Sequence, residues 1–272
     1  MNGRVVAITG GARGIGAAIG EALARDGARV ALGDIDGQAA RTAAERIGGG
    51  AIGLELDVTS HESFTAFLDA VEGELGPLDV LVNNAGIMWV GPFSEEPDSA
   101  ETRQFAVNTH GTMRGMKLAI PRMLRRGSGH VLNVASMASK VTPAGEATYT
   151  ASKHAVYGYS AAVRAELERT GIEISIVMPA VVETELARGT SSGRTKRLTP
   201  EEVGRAVADA VRKPRFEVFV PQSLSVVSRV YAALPIKLRD VMARALVPDQ
   251  VKETDRAVRA AYEDASVAAR DQ

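Results

Sequence analysis

The sequence predicts an α/β protein built on a doubly wound, mostly parallel seven-stranded sheet with helices on both faces, followed by a C-terminal helical extension. Three observations predict it. Seven short apolar runs alternate with longer segments of helical period, the first run ends in a glycine-rich turn, and the pattern changes after residue 220. The runs cover 5–9, 28–33, 51–56, 78–82, 129–135, 172–178 and 216–220. Being apolar on both faces, they suit strands buried between helices rather than strands with one wet face. Helix candidates lie between them at 15–26, 37–47, 60–73, 98–126, 146–170 and 200–212. Such alternation implies right-handed βαβ units.

End signals place two of the helices. Thr59 followed by Glu62 has the capping-box pattern, and Thr199-Pro200-Glu201-Glu202 sets a hydroxyl cap, a first-turn proline and a reciprocal glutamate in register. The polar, glycine-punctuated stretch from 189 to 194 reads as a loop in the position of a lid over a site. Beyond Val220, apolar residues from Leu224 to Leu246 recur three or four apart, interrupted by Pro235 and ended by Pro248. Two amphipathic helices and a charged terminal helix at 249–268 are expected, giving a division into a domain at 1–220 and an extension at 221–272. The extension is expected to pack on the same domain or on a partner.

Composition narrows the function classes. The chain has 272 residues, 45% of them apolar, and a net charge of −1, with no concentrated positive charge for nucleic acid. The last 83 residues carry +4 and the first 189 carry −5, a mild asymmetry that a mixed solvated surface explains. There are no cysteines, which excludes disulfides and thiolate metal sites. His61, His110, His130 and His154 show no metal-ligand spacing, so no metal is expected. No run reaches the roughly 18 apolar residues of a membrane-spanning helix, and the first strand starts too early for an export signal, so a cytoplasmic location is the expectation. Lys237, Arg239 and Arg244 on an amphipathic stripe are of the kind that rests on an anionic bilayer, but such a stripe is more often core or subunit interface.

A nucleotide site is legible at the first turn. Gly10, Gly14 and Gly16 lie between the first strand and the first helix, where backbone amides and the helix dipole face a pyrophosphate. Asp34 follows Gly16 by eighteen residues, at the end of the second strand, where a carboxylate accepts both ribose hydroxyls of an adenosine and repels a 2′-phosphate. Arg13 points the other way, since a guanidinium beside the ribose is one way to bind that phosphate. The carboxylate weighs more, because burying it against a phosphate is costly. The cofactor expected is NAD.

A proton-transfer site is legible further on. Tyr149 and Lys153 are four residues apart and share a helix face. An ammonium beside a phenol favours the phenolate and lowers a pKa whose reference is about 10. Tyr149 is thus expected to move the proton of an alcohol or ketone. Ser136 ends the fifth strand, where open parallel sheets form their active sites, and its hydroxyl is expected to hold the substrate oxygen, with Ser139 as a weaker substitute.

These residues carry a resemblance. Thr9 through Gly16, Asp57-Val58, Asn83-Asn84-Ala85-Gly86, Asn108, Ser136, Tyr149, Lys153 and Pro179 through Thr184 fall in the order and spacing of the short-chain dehydrogenase/reductase family, over about residues 4 to 220. The chain resembles that family, which implies a Rossmann fold and an NAD(H)-dependent oxidoreductase acting on a secondary alcohol or ketone. The resemblance assigns Asn108, Ser136, Tyr149 and Lys153 to catalysis, with Asn108 holding a water behind Lys153. It assigns Gly10, Arg13, Gly14, Ile15 and Gly16 to the pyrophosphate turn, and Asp57 and Val58 to the adenine. Asn84, Ala85 and Gly86 become the wall beneath the ribose and pyrophosphate, Val182 meets the nicotinamide carboxamide, Lys153 the nicotinamide ribose and Thr184 the cofactor's phosphate side, with Pro179 and Tyr149 completing the cofactor site. Ala180 departs from the pattern, which has glycine after the proline. A homo-oligomer, dimer or tetramer, is also implied.

The segments expected around the reacting carbon are 87–90, Met137, 141–144 and 185–198. Several of these residues are apolar and the first three segments hold no fixed Arg or Lys, so a lipophilic alcohol or ketone is the expected substrate. The spacing of the extension resembles that of family members acting on lipophilic substrates. Two other readings stand beside it: a 3-oxoacyl-thioester reductase using NADPH, which Asp34 disfavours, and a dinucleotide sensor without turnover, which would not need the relay residues.

Overall fold

The computed structural model describes residues 1, 3–193 and 195–267. Its sheet has seven strands in the order β3-β2-β1-β4-β5-β6-β7. These are β1 (Val5–Thr9), β2 (Arg29–Asp34), β3 (Ile52–Glu55), β4 (Leu78–Asn83), β5 (Gly129–Val134), β6 (Ile172–Pro179) and β7 (Glu217–Val220). Every pairing is parallel. The order reverses between β1 and β4, so the loops leaving these two strands diverge and open a crevice at their carboxyl ends.

Alternation along each strand builds two cores. Val6 and Ile8 of β1 point to one face, packing with Ile19 and Leu23 of α1 (Gly14–Arg25) and Val203 and Val207 of α7 (Pro200–Arg212). Val5 and Ala7 point to the other, against Phe64 and Phe67 of α3 (His61–Leu75) and Met116 and Ile120 of α5 (Thr112–Leu124). Successive side chains of a strand face opposite ways, so a run apolar throughout feeds both layers. α2 (Gly37–Ile47) covers the β2–β3 end.

The capping box at Thr199 and Glu202 is formed as its spacing predicts. The one expected at Thr59 is not. Ser60 caps α3, accepting from the Ser63 amide at 3.1 Å, because Thr59 donates its hydroxyl to Asp57 at 2.7 Å instead. The long helix expected at 98–126 comprises α4 (Asp98–Gln104), a π-wound stretch at Phe105–Gly111, and α5. The helix expected at 146–170 is α6 (Ala147–Glu166).

After β7 the chain forms α8 (Leu224–Ala233), α9 (Ile236–Leu246), α10 (Gln250–Glu253) and α11 (Arg256–Ser266). In α8 and α9 Val226, Val230, Ile236, Leu238 and Val241 are exposed. α10 and α11 fold back onto the loops after β4, β5 and β6, where Gln250 and Arg259 are buried, and Val267, just after α11, is buried against Trp89 and Ala100. The end of the expected terminal helix, at 268, and Arg194 of the expected loop lie outside the described residues. Among the described residues no helix is long and apolar enough to cross a membrane.

Candidate active site

The turn after β1 is pressed against the turn after β4. Thr9 Oγ1 accepts from the amides of Asn84 and Ala85, both at 3.0 Å, and Asn84 Nδ2 donates to the carbonyls of Thr9 and Gly10. A methyl on Gly16 would lie 2.0 Å from the Gly10 carbonyl oxygen, and Gly10 itself has φ +63°, so neither position takes a side chain without displacing the turn. A methyl on Gly14 would meet Thr184 Cγ2 at 3.4 Å, which brings the end of β6 to the same mouth. Ile15 packs into the core beneath.

Asp34 is 8% exposed at the rim of this turn. Its Oδ2 accepts from the Ala12 amide at 3.1 Å and its Oδ1 from the Asp36 amide at 3.2 Å, so two backbone donors hold the carboxylate. Arg13 does not approach it. Its side chain is 61% exposed, and the guanidinium pairs with Glu185 at 2.8 Å. Asp57 accepts from the amide and hydroxyl of Thr59, and Val58 packs beside Gly111. Pro179 ends β6, Val182 bridges to Leu198, and Thr184 donates its hydroxyl to the Val182 carbonyl at 3.4 Å.

Next to this cradle α6 presents Tyr149 and Lys153 one turn apart, both buried. Lys153 Nζ lies 5.6 Å from the Tyr149 ring centre and donates to the Val134 carbonyl at 3.2 Å. A methyl on Gly86 would be 3.4 Å from both Lys153 Nζ and Asn108 Oδ1, so the post-β4 turn, the π-wound stretch and α6 converge there. π-winding is frequent at functional sites, and here it carries the wholly buried Asn108. The Asn108 amide nitrogen donates to Ile87 O at 2.9 Å and Ser152 Oγ at 3.0 Å, while its oxygen accepts from Ile87 N. Ser136 leaves β5 beside Tyr149. Ser139 is turned away, its hydroxyl donating to the Lys153 carbonyl at 3.0 Å, so it is no substitute for Ser136.

The electrostatics differ from the sequence expectation. Burial pushes the Tyr149 phenol well above its ordinary pKa, the Glu146 carboxyl pushes it further, and the Ser136 hydroxyl opposes them. Burial also lowers Lys153 to about 8, which weakens the cation expected to depress the tyrosine.

Three residues that the sequence reading did not single out share this chamber. Arg259 of α11 is wholly buried. It donates to Glu263 at 2.7 Å, to the Leu186 and Arg188 carbonyls at 2.7 and 3.2 Å, and to the Met88 carbonyl. Its guanidinium lies 4.9 Å from the Tyr262 ring centre. Tyr262 is raised to about 12 by burial and stands close enough to Tyr149 to act on it. Glu146, at the start of α6, is 8% exposed. Nothing local announces Arg259 and Tyr262, which read as one face of a charged helix that only docking brings to Tyr149. The loop after β6 is tied down by the same extension, Ser191 exchanging two 2.8 Å hydrogen bonds with the Gln250 side chain. Met88, Val90, Ala138 and Leu186 form the apolar wall around Tyr149. Among the described residues no group of three or more His, Asp or Glu is placed to hold a metal ion.

Known proteins share this fold. The chain is 37% identical over 207 residues to a D-threitol dehydrogenase of Mycolicibacterium smegmatis, covering 74% of this chain and 80% of the relative. It superposes with a TM-score of 0.79, at 26% identity, on a short-chain dehydrogenase/reductase of Burkholderia phymatum in complex with NAD, covering 88% of this chain and 95% of that one. An alcohol dehydrogenase of Thermococcus sibiricus complexed with 5-hydroxy-NADP superposes with a TM-score of 0.72 at 28% identity, covering 79% and 94%. A family model described as short chain dehydrogenase matches residues 4–195, and the chain belongs to that family of oxidoreductases.

Proposed function

We propose that the protein is an NAD-linked oxidoreductase that interconverts a secondary alcohol and a ketone, with Tyr149 as general acid and base. The observation that carries this reading is the convergence of Ser136, Tyr149 and Lys153 at the carboxyl end of β5, on the rim of the glycine cradle. A nicotinamide dinucleotide, when bound, supplies or takes up the hydride. The amides of Gly14, Ile15 and Gly16, with Gly10 and Arg13 beside them, would face its pyrophosphate. Asp57 and Val58 would flank the adenine, and Asn84, Ala85 and Gly86 the ribose. Pro179, Val182, Tyr149 and Lys153 would hold the nicotinamide side, Thr184 would touch the phosphate side, and Asn108 would order water behind Lys153.

For ketone reduction the burial of Tyr149 keeps its proton in place until negative charge develops on the substrate oxygen, when the phenol donates it. Ser136 holds that oxygen. For oxidation the phenolate accepts the alcohol proton, and Lys153 is the cation that stabilises it.

Asp34 supports NAD over NADP. It makes no ion pair with a basic side chain among the described residues, so a 2′-phosphate there would meet uncompensated charge. The apolar wall of Met88, Val90, Ala138 and Leu186 supports a substrate with a lipophilic body. The family's habit supports a homo-oligomer, and the burial of Gln250, Arg259 and Val267 supports reading 221–272 as an extension packed on its own domain.

The test follows reduced-nicotinamide absorbance with NAD and NADP separately, over apolar secondary alcohols and ketones. NAD-linked turnover that falls by about 100-fold or more in Tyr149→Phe is expected. A variant as active as wild type would overturn the assignment of Tyr149, and faster turnover with NADP would overturn that of the cofactor.

A further inference from the structure

The apolar run from Leu224 to Leu246 is not core. Seven of the twelve exposed large apolar side chains among the described residues lie between Val226 and Leu246, with Val226 61% and Ile236 70% exposed. α8 buries only Ser228, and α9 buries no residue at all. The body of the protein holds this helix pair at its two ends. Leu224 packs against the cluster around Met178 and Phe219, and a methyl placed on Gly193 would lie 3.6 Å from Pro248, just beyond α9.

The exposed face combines aliphatic stripes with unpaired positive charge. Residues three and four apart share a helix face, so Val226, Val230 and Ala233 form a stripe along α8, and Leu238, Val241 and Ala245 form one along α9. Arg229 stands beside the first stripe, while Lys237 and Arg244, seven apart, line one edge of the second. Between Gln222 and Pro248 four cationic side chains, Arg229, Lys237, Arg239 and Arg244, face one acid, Asp240, a net of +3 in a chain of net −1. None of the four forms an ion pair with a carboxylate among the described residues. Arg239 is spent on the Leu234 and Ala232 carbonyls, and the other three are exposed.

That charge decides what covers the face. A two-fold contact between copies sets one patch against itself, so Arg229, Lys237 and Arg244 would meet their own counterparts, and like charges brought together cost affinity. The exposed apolar side chains of the pair are aliphatic throughout, whereas protein interfaces take their anchors from Trp, Tyr and Arg. Helices that lie in a bilayer surface have the arrangement seen here. Their aliphatic stripe sinks between the headgroups while Lys and Arg at its border reach the lipid phosphates.

We propose that α8 and α9 dock the protein on the surface of an anionic bilayer. At 10 and 11 residues the helices are too short to cross it, and they lie in its plane with Arg229, Lys237 and Arg244 at the headgroups. Pro248 abuts the loop after β6, and Leu186 of that loop belongs to the apolar wall around Tyr149, so the docked face adjoins the chamber. Docking requires no turnover and stands or falls apart from the oxidoreductase reading.

Co-sedimentation of the full chain with vesicles tests this, comparing phosphatidylcholine alone with phosphatidylcholine containing about a third phosphatidylglycerol. Wild type is expected to bind the anionic vesicles about 100-fold more tightly, the preference that three net cations give near such a surface, and to lose most of it at high salt. Lys237→Glu combined with Arg244→Glu should abolish the preference. Leu238→Ser combined with Val241→Ser keeps the charge and should weaken binding to anionic vesicles by about tenfold or more, a response that a purely electrostatic contact would not show. Sedimentation velocity without lipid reads the competing occupant. Failure of wild type to bind anionic vesicles, or unaltered binding in either double variant, overturns the proposal. So does a wild-type oligomer that the serine variant converts to a smaller species, since the face would then belong to a second copy. Should one double variant fail to fold, the other and the wild-type comparison of the two vesicle compositions decide.

Discussion

Arg259 donates through Nη1 to the carbonyl oxygen of Leu186 at 2.7 Å, which ties the last helix of the chain to the loop that follows β6. The same guanidinium holds the Met88 carbonyl on the opposite wall and the carboxylate of Glu263 within its own helix. One buried cation thus joins both sides of the chamber over Tyr149. Replacing it by leucine would take the guanidinium donor from three carbonyls and leave the Glu263 carboxylate only the Val90 amide. Loss of one member of a buried pair costs about 3–5 kcal/mol. Arg259→Leu is therefore expected to lower Tm by about 10 °C for a chain of this size, read by calorimetry. Arg259→Lys should recover only part of that, since one ammonium cannot span the fork of a guanidinium. A Tm within about 2 °C of wild type for the leucine variant would show that α11 is not held this way.

At the other end of the crevice, Asp34 is held by two backbone amides on the rim of the glycine turn. Asp34→Ala removes the carboxylate proposed to accept the adenosine ribose hydroxyls. The expected outcome is a fall of about 10- to 100-fold in kcat/KM with NAD, the range of a hydrogen bond to a charged group. NADP should lose far less, because the same change removes a repulsion. Steady-state kinetics with both dinucleotides checks this, and equal losses for the two would count against Asp34 as the discriminating residue.

Acid stability should depend on His130. It is buried in β5, with Nε2 2.8 Å from Ser175 Oγ and no partner for Nδ1 among the described residues. Burial, with repulsion from Arg4, lowers its pKa from 6.5 to about 4. Between those values the unfolded chain binds the proton that the folded chain refuses, so this contribution rises with pH and is complete above about 6.5. Glu146 acts oppositely: raised from 4.5 to about 7, it stabilises the folded chain at low pH and loses that contribution as pH rises through 7. Urea unfolding at pH 4.5 and pH 7 separates them. In His130→Gln the loss of stability between pH 7 and pH 4.5 should be smaller than in wild type by about 2 kcal/mol. An identical loss would mean that His130 is not buried neutral.

Much of the fold and half of the candidate site can be read from the chain because they depend on short separations. The period of Val5 to Thr9 makes a two-faced strand, and Gly10, Gly14 and Gly16 mark a turn that excludes side chains. The four-residue step from Tyr149 to Lys153 puts both on one helix face. The cap of α3 was misplaced by one residue because Thr59 and Ser60 offer the same hydroxyl, and only the position of Asp57 decides which one is diverted.

By itself, then, the sequence determined the order of the elements, the cradle and the shared helix face of Tyr149 and Lys153, since local sterics and helical phase act within a few residues of each other. The tertiary structure decided which way the extension turns and that Arg259 and Tyr262 close the chamber. It also reversed the expected pKa of Tyr149, because desolvation depends on everything packed around the phenol, including α11 more than a hundred residues further along the chain.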